Sequence, residues 1–362
     1  MRVSKRTWRI IWAIALKDIA DAIRNKTALG IMIGVGFLML STQALAFLVK
    51  GQSEPAAVIY DQGASAQIHA LVRSRTLRLG IADSFEEMVG LVSQSVEPRL
   101  GLVIPRDFDE AINAREPLEI QGYLPHWIKT ATAADLVIYF EEHLGAATGA
   151  AIRIQVDGNA VYPNPEQMGF STMVATGIVL GVMITGLILV PILLIEEKET
   201  QTLDVLLVSP AHTLHLLVGK ALAGLFYALL ASLVMFAFSG YWIAHWWVAL
   251  MAVMLGALCA VLTGLLLGSI FENFTIVNMW AGVIIAFFLL PVFLWSSIAS
   301  RLPYSVQTLA QALPSLAMFR MVVLSLSETV SLAQVWPYIA IMLGFIVLMA
   351  FLVGWRIQRA DR

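Results

Sequence analysis

Long uncharged apolar runs alternate with charged stretches along the chain, and the apolar runs predict membrane helices. An α-helix needs about 20 apolar residues to cross the hydrocarbon core, and six runs are long enough. These runs are Leu29–Val49, Ser171–Ile195, Ala221–Gly240, Trp246–Phe271, Ile276–Ser297 and Val335–Trp355. Continuous runs of this length exclude a β-barrel, whose strands alternate apolar and polar residues in short segments. The sequence therefore predicts an α-helical polytopic membrane protein with six transmembrane helices.

A charged segment, residues 196–220, separates the second predicted helix from the third. It reads EEKETQTLDVLLVSPAHTLHLLVGK, whereas residues 221–271 contain no Lys, Arg, Asp or Glu. Because the segment is too polar to lie in lipid, we expect a compact helix-turn on one membrane face. Ser209 followed by Pro210 is typical of a helix start, since serine caps a helix and proline suits its first turn. The pattern indicates a place where a soluble partner transmits force.

Residues 50–170 form the longest stretch outside the apolar runs, and strand and helix patterns alternate along them. The predicted strands are Ala56–Tyr60, Leu100–Ile104 and Leu118–Tyr123, and the predicted helices are Ala64–Arg75, Phe85–Val96, Phe108–Ala114 and Thr130–Thr148. Ser84 and Glu87 have the spacing of a capping box. The alternation predicts an inserted α/β domain with its sheet covered by helices. We find no catalytic, cofactor or metal pattern; Glu141, Glu142 and His143 are interpreted as a solvated helix face.

The charges near the ends of the spans predict their orientation. Seven Lys and Arg residues and two Asp residues precede residue 29, and the C-terminal tail after Trp355 carries three Arg residues. Basic residues near span ends favour the cytoplasmic side, so both termini are expected in the cytoplasm. Residues 50–170, with nine basic and sixteen acidic residues, are then extracytoplasmic. Residues 196–220 are cytoplasmic by the same count of spans.

The N-terminal region, residues 1–28, is predicted to be a cytoplasmic amphipathic helix lying in the membrane interface. Its apolar residues Trp8, Ile11, Trp12, Ala15 and Ile19 recur along one side of a helix. A cleaved signal peptide is the alternative, because residues 44–46 (Ala-Leu-Ala) resemble a small-residue cleavage site. The apolar run continues through Val49, and we therefore favour an uncleaved membrane helix over residues 29–49.

Composition agrees with a membrane protein and narrows the classes of function. Hydrophobic residues make up 59% of the 362 residues and charged residues 13%, whereas soluble domains have about 25% charged residues. The net charge of −2 and the lack of a basic cluster argue against a nucleic-acid partner. The single cysteine, Cys259, lies in an apolar run, which excludes a disulfide framework. No acid or base lies in the middle of a predicted span, which argues against proton- or sodium-coupled secondary transport.

Residues 196–220 resemble the corresponding region of permease subunits of type-2 ABC exporters. That family has an acidic-basic-acidic cluster, then Gly-Thr-Leu, a leucine-rich stretch, Ser/Thr-Pro, and Gly-Lys at the next span. The matching positions are Glu197, Lys198, Glu199, Thr202, Leu203, Leu206, Leu207, Ser209, Pro210, Gly219 and Lys220. Gln201 stands where glycine is usual, and Lys198 where arginine is common. The whole chain is similar to the branch with a large extracytoplasmic domain between the first two membrane helices.

The resemblance implies a permease that works in a prokaryotic plasma membrane with a separate ABC ATPase subunit and a second copy of itself or a similar permease. It implies that residues 196–220 are the coupling helix and that Glu197, Lys198, Glu199, Thr202, Leu203, Leu206 and Leu207 contact the ATPase. It further implies an outer re-entrant segment over residues 302–327, broken by Pro303 and Pro314. Since the chain lacks G-x-x-x-x-G-K-[ST], we expect no enzymatic activity and ATP bound by the partner.

The substrate is predicted from the character of the spans. Because the spans lack charge, an apolar pathway for an amphipathic or lipid-like molecule moved outward is expected. A sodium or peptide exporter remains an alternative within the same family. An alternative of a different class is a membrane-anchored sensor or scaffold whose outer domain binds a ligand.

Overall fold

The structure is a computed structural model that describes residues 5–24, 55–95, 97–165, 169–199, 213–298 and 303–360, together with positions 30, 33, 34, 36, 37 and 41. The chain forms two compact units. Met1–Gln43, Met173–Ser325 and Val330–Arg362 make up the first, which we call the helical unit. Ala44–Thr172 with Leu326–Thr329 make up the second, the α/β unit. Most of the predicted first span, residues 29–49, lies outside the described residues.

The elements of the chain up to the end of the α/β unit alternate between helices and strands. They are α1 (Lys5–Arg24), β1 (Ala56–Asp61), α2 (Ala66–Ser74), β2 (Arg78–Ala82), α3 (Phe85–Ser93), β3 (Arg99–Ile104), α4 (Phe108–Ala114), β4 (Leu118–Pro125), α5 (Thr130–Thr148), β5 (Ile152–Gln155) and β6 (Ala160–Val161). The helices over 108–114 and 130–148 have the bounds that the sequence predicts. Three strands, β2, β5 and β6, were not predicted.

The strands form one mixed sheet in the order β2-β1-β3-β4-β5, with β6 paired to β4. β1 pairs in parallel with both β2 and β3, and α2 and α3 are the crossovers that parallel pairing requires. β3 and β4 are antiparallel, and β4 and β5 are parallel. The sheet buries apolar residues on both faces: Ile59, Leu100 and Phe140 lie in one core cluster, and Val58 and Met88 in another.

The predicted capping box at Ser84 is present with one change. The Ser84 hydroxyl accepts the Glu87 N–H at 3.1 Å, as such a box requires. The Glu87 carboxylate, however, accepts the N–H of Asp83 at 2.8 Å, one residue before the cap. The start of α3 is therefore stabilised as the sequence predicts, through a slightly wider loop.

The remaining elements are α6 (Phe170–Ile184), a π-helical turn (Thr185–Leu189), α7 (Val190–Glu199), α8 (Thr213–Ser239), a 3-10 turn (Gly240–Trp242), α9 (Trp246–Ile270), α10 (Phe274–Ile298), α11 (Tyr304–Gln311), α12 (Pro314–Ser325) and α13 (Leu332–Ala360). Among the described residues, five helices are long and apolar enough to cross a membrane: Ser171–Glu196, Leu214–Trp242, Trp246–Ile270, Phe274–Trp295 and Leu332–Arg356. Each overlaps one predicted span, and its ends differ from the predicted ends by at most seven residues.

Residues 305–325 form a broken apolar segment. Ser305–Gln311 and Pro314–Ser325 are bent by 79° at the break. The predicted break at Pro314 is thus confirmed, because proline starts the second helix and cannot continue the first. α12 is buried along almost its whole length, and the guanidinium of Arg320 lies 5.3 Å from the centre of the Trp295 ring. The segment therefore belongs to the packed interior of the helical unit.

The span formed by α6, the π-helical turn and α7 is the most enclosed of the five, with 89% of its apolar window buried. The turn ends one residue before Pro191, whose ring cannot accept the regular helical bond pattern. Gly264 of α9 faces this turn: a Cβ there would lie 2.4 Å from the Gly186 carbonyl oxygen. Gly268 similarly contacts Pro191, at 3.0 Å. This glycine pair therefore packs two helices of the same chain together.

The predicted single apolar side of α1 is divided in the structure. Ile11, Ala15 and Asp18 are buried, and α1 packs along α8. Trp8 and Trp12 lie on the adjoining side and are 53% and 55% exposed. The prediction that both tryptophans share one packed side with Ile11 is therefore wrong. The apolar stripe is wider than one contact surface, because α1 buries one part of it and leaves the indole rings exposed.

Candidate functional site

The ends of the charged segment are held by two lysines. α7 continues to Glu199 and α8 already begins at Thr213, so both ends of residues 196–220 are parts of long helices. The predicted surface helix-turn is therefore shorter than the sequence indicated. Lys198 lies in the last turn of α7, and Lys220 lies two turns inside α8.

Lys198 joins the end of α7 to the end of α9. Its ammonium donates to the carbonyl oxygens of Gly268 and Phe271, at 2.8 and 3.0 Å. These carbonyls lie at the C-terminal end of α9, where helical partners are lacking and where a positive charge is favoured. Burial lowers the pKa of Lys198, the nearby carboxylate of Glu272 raises it, and Arg356 lowers it further. Lys198 thus acts as a partly desolvated C-cap of a neighbouring helix.

Lys220 joins α8 to both α1 and α7. Its ammonium lies 3.3 Å from a carboxylate oxygen of Asp18 and donates to the Leu193 carbonyl at 2.7 Å. Lys220 is 1% exposed and Asp18 4% exposed. A buried charge is tolerated when it is paired and hydrogen-bonded, and losing one partner leaves the other uncompensated. The pair therefore fixes the position of α1 on the rest of the helical unit.

A close backbone approach supports this ion pair. A Cβ at Gly219 would lie 2.6 Å from Cγ2 of Ile14, so glycine is needed for α1 to lie this near to α8. One turn and a half further along α8, the Tyr227 hydroxyl donates to the Ile19 carbonyl. Gly219, Lys220 and Tyr227 together form a docking surface for α1.

The structure describes the predicted ATPase-contacting residues only in part. Thr202, Leu203, Leu206 and Leu207 lie outside the described residues, as do the side chains of Glu197 and Glu199. Their contact with an ATPase stays a prediction. Sequence reasoning did not identify Asp18 or Tyr227. Asp18 could have been found, because it is an acidic residue three positions after Ala15 on an apolar helix side; Tyr227 carries no comparable signal.

Several long apolar helices with a broken, buried helix pair define a multi-pass helical membrane protein. Residues 26–355 match the family model described as ABC-2 family transporter protein, and the chain belongs to this family. It is accordingly the membrane component, the permease, of an ABC transporter. The searches of curated proteins and of solved structures found no match.

Proposed function

We propose that this chain is the permease subunit of an ATP-driven exporter that moves an amphipathic or lipid-like small molecule out of a prokaryotic cell. A separate ABC ATPase subunit hydrolyses the ATP. Membership of the ABC-2 transporter family supports the transport role. The basic residues near both ends of the chain support cytoplasmic termini. With that orientation, the α/β unit is an extracytoplasmic domain inserted between the first two of six spans.

The observation that carries the proposal is the anchoring of both ends of the coupling segment, residues 196–220. Lys198 ties one end to the carbonyl end of α9, and Lys220 ties the other to Asp18 and Leu193. A displacement of the residues between them is therefore carried to α1, α7, α8 and α9 together. The proposed contacts with the ATPase are Glu197, Lys198, Glu199, Thr202, Leu203, Leu206 and Leu207.

The proposed complex holds two permeases and two ATPase subunits, and its second permease is another copy of this chain or a similar one. One chain supplies at most six spans, which leaves the pathway to be formed between two permeases. The uncharged character of the spans favours a substrate with a large apolar part, because a bare ion has no partners in such a pathway.

The first test separates ATP hydrolysis from transport. The complex is reconstituted in vesicles with Glu197→Lys/Glu199→Lys or with Leu203→Asp, and hydrolysis and outward transport are measured in parallel. We expect transport to fall to background while hydrolysis continues, because these residues connect the two activities. Glu110→Lys/Glu116→Lys, at exposed positions of the α/β unit, makes the same charge change and should leave transport intact. Normal transport by the coupling variants would refute the assignment.

The second test concerns the substrate and the partner. Hydrolysis by the purified complex is measured with a panel of amphiphiles, peptides and sodium. Stimulation by amphiphiles supports the proposal, and stimulation by sodium without any amphiphile overturns the choice of substrate. Failure of any ATPase subunit to co-purify with the detergent-extracted chain overturns the proposal of a separate motor.

A further inference from the structure

A cleft in the α/β unit collects arginine side chains. Its volume is about 720 Å³, and it lies where β1, β2 and β3 begin and α2 ends. Its charged lining residues are Arg73, Arg75, Arg78 and Arg99, and we call it the arginine cleft. Val72, Leu77 and Leu79 form apolar parts of the same wall. A volume of roughly 300–1,000 Å³ is usual for a small-molecule site.

The charge of the arginine cleft is opposite to that of the surrounding region. Residues 50–170 contain nine basic and sixteen acidic residues, yet four of the nine basic ones line this cleft. Among the described residues no Asp or Glu lines it. Glu97 is close, with its carboxylate 3.6 Å from the Arg78 guanidinium, and it offsets part of the charge. The composition of the region therefore does not explain the cluster.

Arg99 adds an indication that an anion is missing from the set of contacts. It is the first residue of β3, and its Nε is buried with no hydrogen-bond partner in the described part of the chain. Buried donors of this kind are rare in proteins, because desolvating them without a partner is costly. An anion at the exposed nitrogens of Arg99 would lower that cost, since it compensates the charge that the guanidinium shares.

Backbone conformation does not distinguish the cleft. Arg75 ends α2 in the left-handed region, with φ of 53°, and its N–H bonds to the Val72 carbonyl. Arg115 ends α4 in the same way, with φ of 55°, and does not line the cleft. The left-handed arginine is therefore a helix-ending device used twice. What sets Arg75 apart is the presence of three further arginines around the same cavity.

We propose that the arginine cleft binds a ligand that carries a phosphate group. Guanidinium groups match phosphate oxygens through paired N–H bonds, and a phosphate can accept from several of them at once. The remaining part of the ligand is small and lies along Val72, Leu77 and Leu79. A soluble phosphate ester and a phospholipid headgroup share this chemistry. The proposal concerns the α/β unit and does not depend on the transported substrate.

The test uses the full-length chain in nanodiscs of neutral lipid. Glycerol 3-phosphate and a short-chain phosphatidylglycerol are titrated in separate arms, and binding is followed by thermophoresis at low and high salt. We expect saturable binding that weakens with salt, and a loss of affinity of about tenfold or more in Arg73→Gln/Arg75→Gln, the loss of one to two charge-assisted bonds. Both positions are exposed, so the variant is expected to fold; its melting curve verifies this.

The matched control is Arg106→Gln/Arg115→Gln, which removes two exposed arginines of the same unit from outside the cleft. Binding of either ligand that is lost in the cleft variant and kept in the control supports the proposal. Binding of glycerol 3-phosphate assigns a soluble ester, and binding of the short-chain lipid without it assigns a headgroup. Absence of binding in both arms, or an equal loss in the cleft variant and the control, overturns the proposal.

Discussion

At the scale of single residues, two lysines that the sequence places in one polar segment have different surroundings. Lys198 donates to the carbonyls at the end of α9, whereas Lys220 is enclosed with Asp18 and the Leu193 carbonyl. The motif positions were predictable from residue type and order. Their partners were not, because Asp18 lies 202 positions earlier than Lys220 and nothing in local periodicity pairs the two.

Removal of the Asp18 carboxylate should destabilise the helical unit. Asp18→Asn leaves the Lys220 ammonium buried without its counter-charge, which costs about 3–5 kcal/mol in comparable pairs. Asp21→Asn is the matched control, because Asp21 lies on the same helix and is exposed. Thermal unfolding of the purified chain measures both. A shift in Asp18→Asn no larger than that in Asp21→Asn would show that the ion pair contributes little.

Stability should depend on pH through Lys198. Because its pKa is lowered in the folded chain, the unfolded chain binds more protons between that lowered value and the ordinary 10.5. The free energy of unfolding therefore rises with pH across that window. Lys198→Arg keeps a positive donor that does not titrate there. We expect the unfolding temperature of the wild type to rise relative to that of Lys198→Arg as the pH is raised; parallel curves would contradict this.

At the scale of elements, long apolar runs predicted the helices well and short strands poorly. β2 reads RLGIA, and β5 is four residues long, so neither shows enough alternation to be recognised. Both are formed through pairing, with β1 and with β4, and pairing is a tertiary contact. The helices α4 and α5 were predicted because amphipathic spacing and turn residues are local signals.

Helix packing should be sensitive to one methyl group at Gly264. Gly264→Ala places a carbon 2.4 Å from the Gly186 carbonyl oxygen, a backbone atom that cannot turn away. The expected cost is roughly 1–3 kcal/mol, typical of overpacking. Gly282→Ala in α10 is the control, because a Cβ there meets no atom within 4 Å. Thermal unfolding and the yield of folded protein should fall for the first variant and hold for the second.

At the scale of the whole molecule, the two compact units have separate cores. Phe140 is fully buried in the core of the α/β unit, whereas Leu189 and Val190 belong to clusters of the helical unit. The separation was predictable, since residues 50–170 lack long apolar runs. The docking of α1 on α8 was not, because it rests on a buried polar contact between distant parts of the chain.

Local stability should therefore change in one unit at a time. Phe140→Ala removes a buried aromatic ring, at a cost of about 3–5 kcal/mol, and should raise hydrogen exchange across residues 55–165. Exchange in α8, α9 and α13 should stay near the wild-type rate. Ile138→Ala, on the same helix but 51% exposed, is the control. Mass spectrometry of the full-length chain measures both, and equal changes in the two units would contradict separate cores.

The π-helical turn at Thr185–Leu189 has a consequence for how this span tolerates insertions and deletions. Such a turn holds one residue more than the α-helix around it, and each residue of an α-helix turns the chain by about 100°. Deleting one residue there would restore an unbroken helix and rotate everything that follows by that angle relative to α6. Lys198 would then face away from the carbonyls of Gly268 and Phe271. The register of the coupling segment is thus set by a single extra residue about ten positions earlier in the span.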